Sequence, residues 1–326
     1  MVYEGVPTPG EHVIPDTHNL FRIGVLLCLL LGAFIAGHLG AIEIQRIPAS
    51  AEWTILAAQW LWLLLCGAIA SVAVQGLGIL AHDAVHKVLL SRLWLNELVG
   101  GMISAFALLP FNANRQFHMT HHRFSHQRDA DPEQPMHKHN LLFAITAGSV
   151  IALALQYRIL VKMLTGHQRS LQNVSNALKD IGYVSIAMAF YFVLIPQAGL
   201  TMYHTFVPMM LTLPLIFGMR SISDHYGLPA VIRHQRGDEG HRDPAIIQHE
   251  VSGWVILTSP LFEWLWSSVN YHEVHHKFPY LSHRYLKQTF AATRGVFPYV
   301  VAEGYVRNLW RQRKRDYYNA VLPDSD

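Results

Sequence analysis

Charged residues and cysteines are scarce in this sequence. Asp, Glu, Lys and Arg make up 14% of the 326 residues, whereas about 25% is usual for a globular domain. The two cysteines, Cys28 and Cys66, both lie inside apolar runs, so the sequence offers neither a disulfide framework nor a thiolate metal site. The net charge is only +3 and basic residues are not interleaved with aromatic ones, which argues against a nucleic-acid partner. Because 51% of the residues are apolar, we expect an integral membrane protein that is partly solvated by lipid.

Four apolar runs are long enough to cross a bilayer as helices, which takes about 20 residues with a range of about 17 to 25. They cover residues 20–41, 53–80, 181–197 and 203–219. The last two are joined by a short turn and predict a helical hairpin. The apolar segment 141–157 is different, because Lys138 precedes it and Arg158 follows it. Basic flanks at both ends are typical of a segment that lies at the membrane interface. We therefore predict an all-α membrane protein with four transmembrane helices.

Histidine is the residue in excess, with 21 copies. The pattern His-x-x-His-His occurs twice, at 118–122 and 272–276, and a His-x-x-x-His pair at 82–86 follows the second apolar run. Chance would give roughly 0.09 matches to the first pattern at this composition, so two copies are informative. By contrast, about one His-x-x-x-His pair is expected by chance. That pair is informative only through its position.

The spacing of these histidines predicts a metal site. Residues three and four apart share one face of a helix, so the histidines of each segment converge on one side. The eight residues are His82, His86, His118, His121, His122, His272, His275 and His276. Imidazole suits iron, copper, nickel and zinc, and eight ligands exceed the capacity of one four-coordinate zinc ion. The natural capacity of the set is two metal ions with open positions.

Lys and Arg residues give the expected orientation in the membrane. They are frequent after Arg220, whereas the loop at 42–52 contains one Arg, and cytoplasmic segments carry the excess of basic residues. With four spans, both termini and all three histidine segments lie on the cytoplasmic face. A fifth span at 141–157 would place the third segment on the opposite face, so the histidines favour four spans. No repeat or linker marks a second domain. We expect residues 1–326 to form one domain with a cytoplasmic helical cap that carries the histidines.

The three segments read His-Asp-Ala-Val-His, His-Met-Thr-His-His and His-Glu-Val-His-His, and Phe278 and Pro279 follow the last. They resemble the three histidine boxes of the membrane fatty acid desaturase superfamily, and their order after two spans is similar to that family across nearly the whole chain. The segment 220–227 is similar to the extra histidine site of many members, which implies His225 as a ninth ligand. The segment that contains Asp129, Asp131 and Pro132 resembles the acidic stretch that follows the second box in many members.

The resemblance implies a non-haem enzyme with two iron ions that uses dioxygen and two electrons to activate an unreactive C–H bond. Introduction of a double bond into a fatty acyl chain is the activity that we expect. A carotenoid hydroxylase or ketolase, or an acyl hydroxylase, of the same superfamily is the alternative, because the residues do not distinguish these outcomes. A membrane protein that handles metal without catalysis is a further alternative. It would be expected to place histidines across the bilayer rather than on one face.

Three carboxylates stand beside expected ligands in the sequence, namely Asp83, Asp224 and Glu273. A metal-bound imidazole usually donates its second N–H to a carboxylate or a carbonyl, so we expect at least one of the three to hold a ligand ring. On a helix, however, a neighbouring residue points about 100° away. Pairing with Arg or capping of a helix is therefore the alternative for each. His126 lies four residues after His122, but the family pattern does not use it and no role is assigned to it.

Aromatic residues beside the boxes are candidates for lining an apolar tunnel that holds the acyl chain. They are Phe106, Phe111, Phe117, Trp264 and Trp266. Core packing or a place in the interfacial belt is the alternative for each.

The electrons are expected to come from another protein. The sequence contains no Gly-rich dinucleotide fingerprint and no cysteine set for an iron–sulfur cluster. An acidic ferredoxin or a b-type cytochrome is the expected donor, and a basic cluster on the expected cytoplasmic face would steer it. That cluster consists of Arg307, Arg311, Arg313, Lys314 and Arg315. Anchoring to the membrane surface is its alternative role.

Overall fold

The computed structural model describes residues 5–8, 14–48, 52–126, 130–137, 140–166, 169–226, 228 and 251–313. Helices make up most of them. In chain order they are α1 (Asp16–Gln45), α2 (Glu52–Val85), α3 (Leu93–Ala105), α4 (Phe111–Phe124), α5 (Gln134–His137), α6 (Leu141–Thr165), α7 (Leu171–Gln197), α8 (Phe206–Ser223), α9 (Pro260–Leu265), α10 (His272–Lys277), α11 (His283–Thr293) and α12 (Tyr305–Gln312). Two short strands, β1 (Trp254–Leu257) and β2 (Val300–Glu303), are present as well.

Five helical segments are long and apolar enough to cross a membrane. Four of them contain the predicted spans, namely α1, α2, α7 and the segment Met202–Ser223 that includes α8. The fifth is α6, which we predict from the sequence to lie at the interface. The observed helices are longer than the apolar runs, because polar residues at their ends remain helical. For example, α7 begins at Leu171 rather than near residue 181.

The transmembrane core forms where α2 packs against both α1 and α8. Buried side chains of this core include Leu30, Phe34, Ala70, Val74 and Met209. Gly67 of α2 permits the close approach of α8, because a Cβ at this position would lie 2.5 Å from the carbonyl carbon of Pro208. Small residues at such contacts allow helices in a membrane to approach each other closely.

The connections of the two helical pairs lie at the same end of the bundle. His38, late in α1, and His204, before α8, have their Nδ1 atoms 3.2 Å apart. The rings of Trp60 and Tyr203 pack against each other with centroids 6.2 Å apart. The C-terminal ends of α2 and α8 are therefore at the opposite end, and that is where the histidine segments lie.

The turn between α3 and α4 contacts the middle of the bundle and fixes the start of α4. The hydroxyl of Tyr191 donates to the carbonyl of Phe106 at 2.8 Å. Asp180 of α7 accepts hydrogen bonds from the backbone N–H groups of Asn112 and Ala113 at 2.9 to 3.0 Å. These bonds satisfy N–H groups that have no partner inside the helix. They orient α4, which carries the second histidine segment.

The two strands are a departure from the all-α prediction. They pair in parallel, with Trp254 opposite Val300. Apolar runs of four residues are too short for periodicity to separate a strand from a buried loop, although β-branched residues favour strands. β1 also fixes the segment that leads into α10, because the N–H of Ile256 donates to the carbonyl of Asn270 at 2.8 Å.

Candidate metal centre

Four separate parts of the chain supply the nine predicted ligands. His82 lies in the last turn of α2 and His86 directly follows it, while α4 carries the second segment and α10 carries the third. His225 lies two residues beyond the end of α8. The structure brings all nine histidines together in two groups. The first contains His82, His86, His118, His122 and His275. The second contains His121, His225, His272 and His276.

Distances between the ring nitrogens fit ligands of a common ion. Within each group the ligand atoms all lie within 4.8 Å of one another. Nε2 of His118 lies 2.9 Å from Nε2 of both His86 and His122. In the second group, Nε2 of His272 lies 2.9 Å from that of His225 and 3.1 Å from that of His276. Two imidazole nitrogens bound at about 2.1 Å and at a right angle around one ion are about 3.0 Å apart. The residues present therefore fit two metal ions.

The electrostatics of the site favour the neutral imidazole that a metal requires. All four histidines of the second group are buried. Burial, reinforced by neighbouring imidazoles, lowers the pKa of His118, His122 and His275 well below the ordinary value of 6.5, and the same holds for His272 and His276. Buried imidazoles lose their charge because desolvation penalises the protonated form. Their lone pairs are then available to a cation.

An arginine of α4 ties the first box to the second. Arg115 donates from Nη2 to the carbonyl of Ala84 at 3.2 Å and from Nε to that of Val85 at 3.3 Å. Glu97 of α3 pairs with the same guanidinium at 2.6 Å. A cation at a helix C-terminus satisfies carbonyls that have no partner inside the helix. Arg115 thereby holds the end of α2, with its two histidines, against α4.

Hydrogen bonds to the Nδ1 atoms orient two rings of the second group. Nδ1–H of His121 donates to Asp131 at 3.0 Å, and Nδ1–H of His225 donates to the carbonyl of Ser252 at 2.7 Å. Each bond leaves Nε2 facing the group. Of the acidic stretch identified in the sequence, Asp131 therefore has a defined contact, whereas Asp129 lies outside the described residues.

His126 and Ser252 are site residues that sequence reasoning missed. His126 is in neither group of histidines. Its Nε2 donates to the carbonyl of Ser252 at 2.5 Å, the same oxygen that holds His225, and its backbone N–H donates to Asp131 at 2.8 Å. The sequence signal that could have revealed His126 is its spacing of four residues from His122. On a continued helix this spacing would place His126 on the same face as the ligands of α4, but α4 ends at Phe124 and His126 has a φ of +62°.

The three carboxylates named from the sequence have different partners. Asp224 lies 3.6 Å from Nδ1 of His272 and pairs with Arg220 at 2.5 Å. Asp224 thus lies against a ligand ring as expected. Asp83 hydrogen-bonds Nδ1 of His283 at 2.5 Å through one oxygen, and its other oxygen lies 3.9 Å from Nδ1 of the box histidine His82.

Glu273 acts on the site through the backbone of Ser252. It pairs with the buried Lys277 at 2.6 Å and accepts the backbone N–H of Ser252 at 2.7 Å. It thus fixes the residue whose carbonyl holds His225 and His126.

A cavity of about 100 Å³ adjoins the histidines. It lies between α2, α4, α6 and α8 and is lined by residues of both groups, including His82, His118 and His272. Of the five aromatic residues considered for a tunnel, Phe117 lines this cavity. Phe106 packs against Phe190, and Trp264 lies over Arg22. Packing is therefore the observed role of those two.

The sequence pattern of the family described as fatty acid desaturase matches residues 57–305. Among individual proteins, the chain is similar to the sn-1 oleoyl-lipid 12-desaturase of Synechocystis, with 28% identity over 103 residues, which is 32% of this chain and 25% of the relative. It is also similar to the protein of that name from Anabaena variabilis, with 29% identity over 79 residues, covering 24% of this chain and 23% of the relative. The matches thus span about a quarter of the length of these relatives.

Proposed function

The chain belongs to the fatty acid desaturase family, and from this we propose that it introduces a double bond into a fatty acyl chain of a membrane lipid. The proposal includes two non-haem iron ions as the cofactor and dioxygen as the co-substrate. The nine histidines would hold the iron, which would supply the chemistry that activates dioxygen and removes hydrogen from a methylene. The desaturases similar to this chain are named for an oleoyl lipid, which favours an acyl lipid as the substrate here.

The observation that carries the proposal is the division of nine histidines into groups of five and four. Histidine-only groups of this size suit iron, since imidazole is a ligand that iron accepts and additional positions remain for a co-substrate. The neutral rings would hold the ions, while Asp131 and the carbonyl of Ser252 fix the orientation of His121 and His225. Burial of the second group would keep bulk water away from the reacting centre.

We also propose the four-span topology, with the histidine end of the bundle in the cytoplasm. Two contacts of α6 support it. Near its start, Ile145 packs against Gly218, close to the end of α8 that leads to His225. Near its end, Leu160 and Met163 pack with Ala113 of the box-bearing α4. In the proposed topology, α6 has both ends on the histidine side and lies across the bundle rather than through the bilayer. Residues 1–326 would form a single domain of this design.

An external electron donor, an acidic ferredoxin or a b-type cytochrome, completes the proposal. Three arginines of the basic cluster are described. Arg307 pairs with Glu303, Arg313 stacks on Trp310 with its guanidinium carbon 3.9 Å from the ring centroid, and Arg311 is exposed. Their positive charge suits an acidic partner. The remaining two members, Lys314 and Arg315, lie outside the described residues.

Product analysis tests the proposed function directly. The protein is expressed in a host with defined membrane lipids, and the acyl chains are analysed by mass spectrometry before and after expression. The expected product is two hydrogens lighter than its precursor, which marks a double bond. A His275→Ala variant is expected to give none of it. A product heavier by one oxygen would instead establish a hydroxylase. The absence of both products would contradict the proposal that the protein is an enzyme acting on acyl chains.

A further inference from the structure

A glycine of α2 leaves open space inside the cavity beside the histidine groups. Gly78 lines this cavity four residues before His82, so the two share one face of the helix. Leu77 and Ile79 on either side are 0% and 2% exposed, whereas Gly78 is partly exposed. A Cβ built at Gly78 meets no described atom within 4 Å. The space lies one helical turn, about 6 Å along the axis, from His82.

Helix packing does not account for a glycine at this position. Gly76, two residues earlier, is different, because a Cβ there would lie 2.6 Å from the carbonyl oxygen of Leu265. Gly78 has no such neighbour among the described residues. Glycine inside a helix costs about 1 kcal/mol relative to alanine. The open cavity is therefore the feature that the missing side chain serves.

The cavity extends from the histidines toward the middle of the bundle. On α2 it reaches Gln75, seven residues before His82, which corresponds to about 10 Å along the helix axis. On α8 it reaches Phe217, eight residues before His225. Both helices end on the histidine side of the bundle, so Gln75 and Phe217 lie toward its inner end.

Leu109, in the turn between α3 and α4, lines the same cavity. It packs against the transmembrane core, and its carbonyl accepts a hydrogen bond from the hydroxyl of Ser104 at 3.1 Å. The preceding carbonyl, of Leu108, accepts one from Tyr157 of α6 at 2.9 Å. This turn also contacts Tyr191, close to the end of α7 that is remote from the histidines. These contacts fix Leu109 as the floor of the cavity.

The direction of the cavity decides which part of a lipid it suits. The polar head group of a lipid stays at the membrane surface, and in the proposed topology the histidines lie at that level. A chain that reaches the histidines therefore continues inward with its methyl end. Ile79, Ala152 and Phe217 provide apolar walls for it, as is usual for a cavity that holds an apolar ligand.

We propose that this cavity holds the methyl end of the acyl chain, and that Gly78 and Leu109 determine specificity by setting its width and its depth. The proposal rests on the proposed function and topology, and it deepens them. With the terminal methyl group seated on Leu109, the length of chain between the floor and the histidines fixes which methylene is oxidised. The position of the double bond is then counted from the methyl end rather than from the carbonyl end.

Photolabelling tests the seat of the methyl end without catalysis. Purified, iron-loaded protein in lipid vesicles is mixed with an octadecanoyl phospholipid that carries a diazirine on the last carbon, or with one that carries it beside the ester. After irradiation, mass spectrometry of peptides locates the label. We expect the terminal probe to label the turn that contains Leu109, and the ester-side probe to leave it unlabelled. Equal labelling of this turn by both probes, or by neither, would overturn the proposal.

A bulky side chain at Gly78 should exclude the methyl end. Gly78→Leu is expected to lose the labelling of Leu109, because its side chain enters the open space. Gly32→Leu in α1 is the matched control, since a Cβ at Gly32 also meets nothing within 4 Å and Gly32 does not line the cavity. It should label as the parent does. Unchanged labelling in Gly78→Leu would rule out this glycine as a determinant of specificity.

The position of the double bond provides a second readout. In a host supplied with saturated acyl chains of different lengths, the parent is expected to place the double bond at a constant distance from the methyl end. Gly78→Ala should move it toward the methyl end, and Leu109→Ala, which deepens the floor, should move it the other way. A double bond at a constant distance from the carbonyl carbon, unmoved in both variants, would contradict the proposal.

The outcomes separate this proposal from the proposed function. Desaturation at a position counted from the carbonyl end, without labelling of Leu109, would leave the proposed function standing and overturn the methyl-end site. Labelling of Leu109 that Gly78→Leu abolishes, without any desaturated product, would do the reverse.

Discussion

Asp131 connects the second histidine box to the loop that follows it. Its carboxylate accepts hydrogen bonds from Nδ1 of His121 and from the backbone N–H groups of His126 and Glu133. Because it is 3% exposed, solvent does not compete for these bonds. One side chain thus fixes both a ligand ring and the backbone turn beside it.

We expect Asp131→Asn to weaken iron binding by about 10- to 100-fold, the usual effect of removing a carboxylate that orients a ligand imidazole. Competition with a chelator of known affinity measures this change. Glu263→Gln is the control, since Glu263 is partly buried but its partners are Tyr271 and Lys287 rather than a box histidine, and its iron affinity should stay close to that of the parent. Iron affinity of Asp131→Asn within twofold of the parent would show that Asp131 does not orient His121.

The residues found from the sequence and those missed differ in what determines their position. The nine histidines were found because three- and four-residue spacing and a family pattern mark them locally. Ser252 contributes a backbone carbonyl, and no side-chain pattern reveals that. His126 owes its place to a left-handed backbone conformation after α4, which helical spacing does not anticipate. For Asp224, adjacency in sequence did not determine which ring it meets, since it lies against His272 rather than its neighbour His225.

At the level of elements, the contact between α2 and α8 depends on one glycine. We expect Gly67→Ala to destabilise the protein by about 1 to 3 kcal/mol, because the added methyl would overlap the backbone at Pro208 and force the helices apart. Thermal unfolding in detergent measures the loss. Gly32→Ala in α1 is the control, since a Cβ there meets nothing within 4 Å. Equal melting temperatures for the two variants would refute the close contact.

Long apolar helices were predictable because hydropathy over about 20 residues is a strong signal. Their ends were not, since tertiary contacts determine them. Asp180 is accommodated inside α7 because its carboxylate accepts hydrogen bonds from the backbone N–H groups at the start of α4. Hydropathy alone excludes this residue from a membrane helix because of its charge. The strands β1 and β2 were missed because each has four residues, and their pairing joins parts of the chain far apart in sequence.

For the whole molecule, the path of α6 relative to the membrane decides whether the protein has four or five transmembrane helices. In a background with Cys28 and Cys66 replaced by Ala, we introduce single cysteines by Asn140→Cys and Arg169→Cys, on either side of α6, and by Pro48→Cys between α1 and α2. A membrane-impermeant maleimide is then applied to vesicles of known orientation. We expect the first two positions to react from the cytoplasmic side and the third from the other. Reaction of positions 140 and 169 from opposite sides would establish a fifth span.

The central claim is that nine histidines hold two iron ions. Iron per chain, measured by elemental mass spectrometry on protein quantified by amino-acid analysis, tests it most directly. We predict about two irons for the parent and about one for His225→Ala, because that substitution removes a ligand from the group of four. His204→Ala, which changes a histidine at the far end of the bundle, should retain two. One iron per chain in the parent, or two in His225→Ala, would contradict the account.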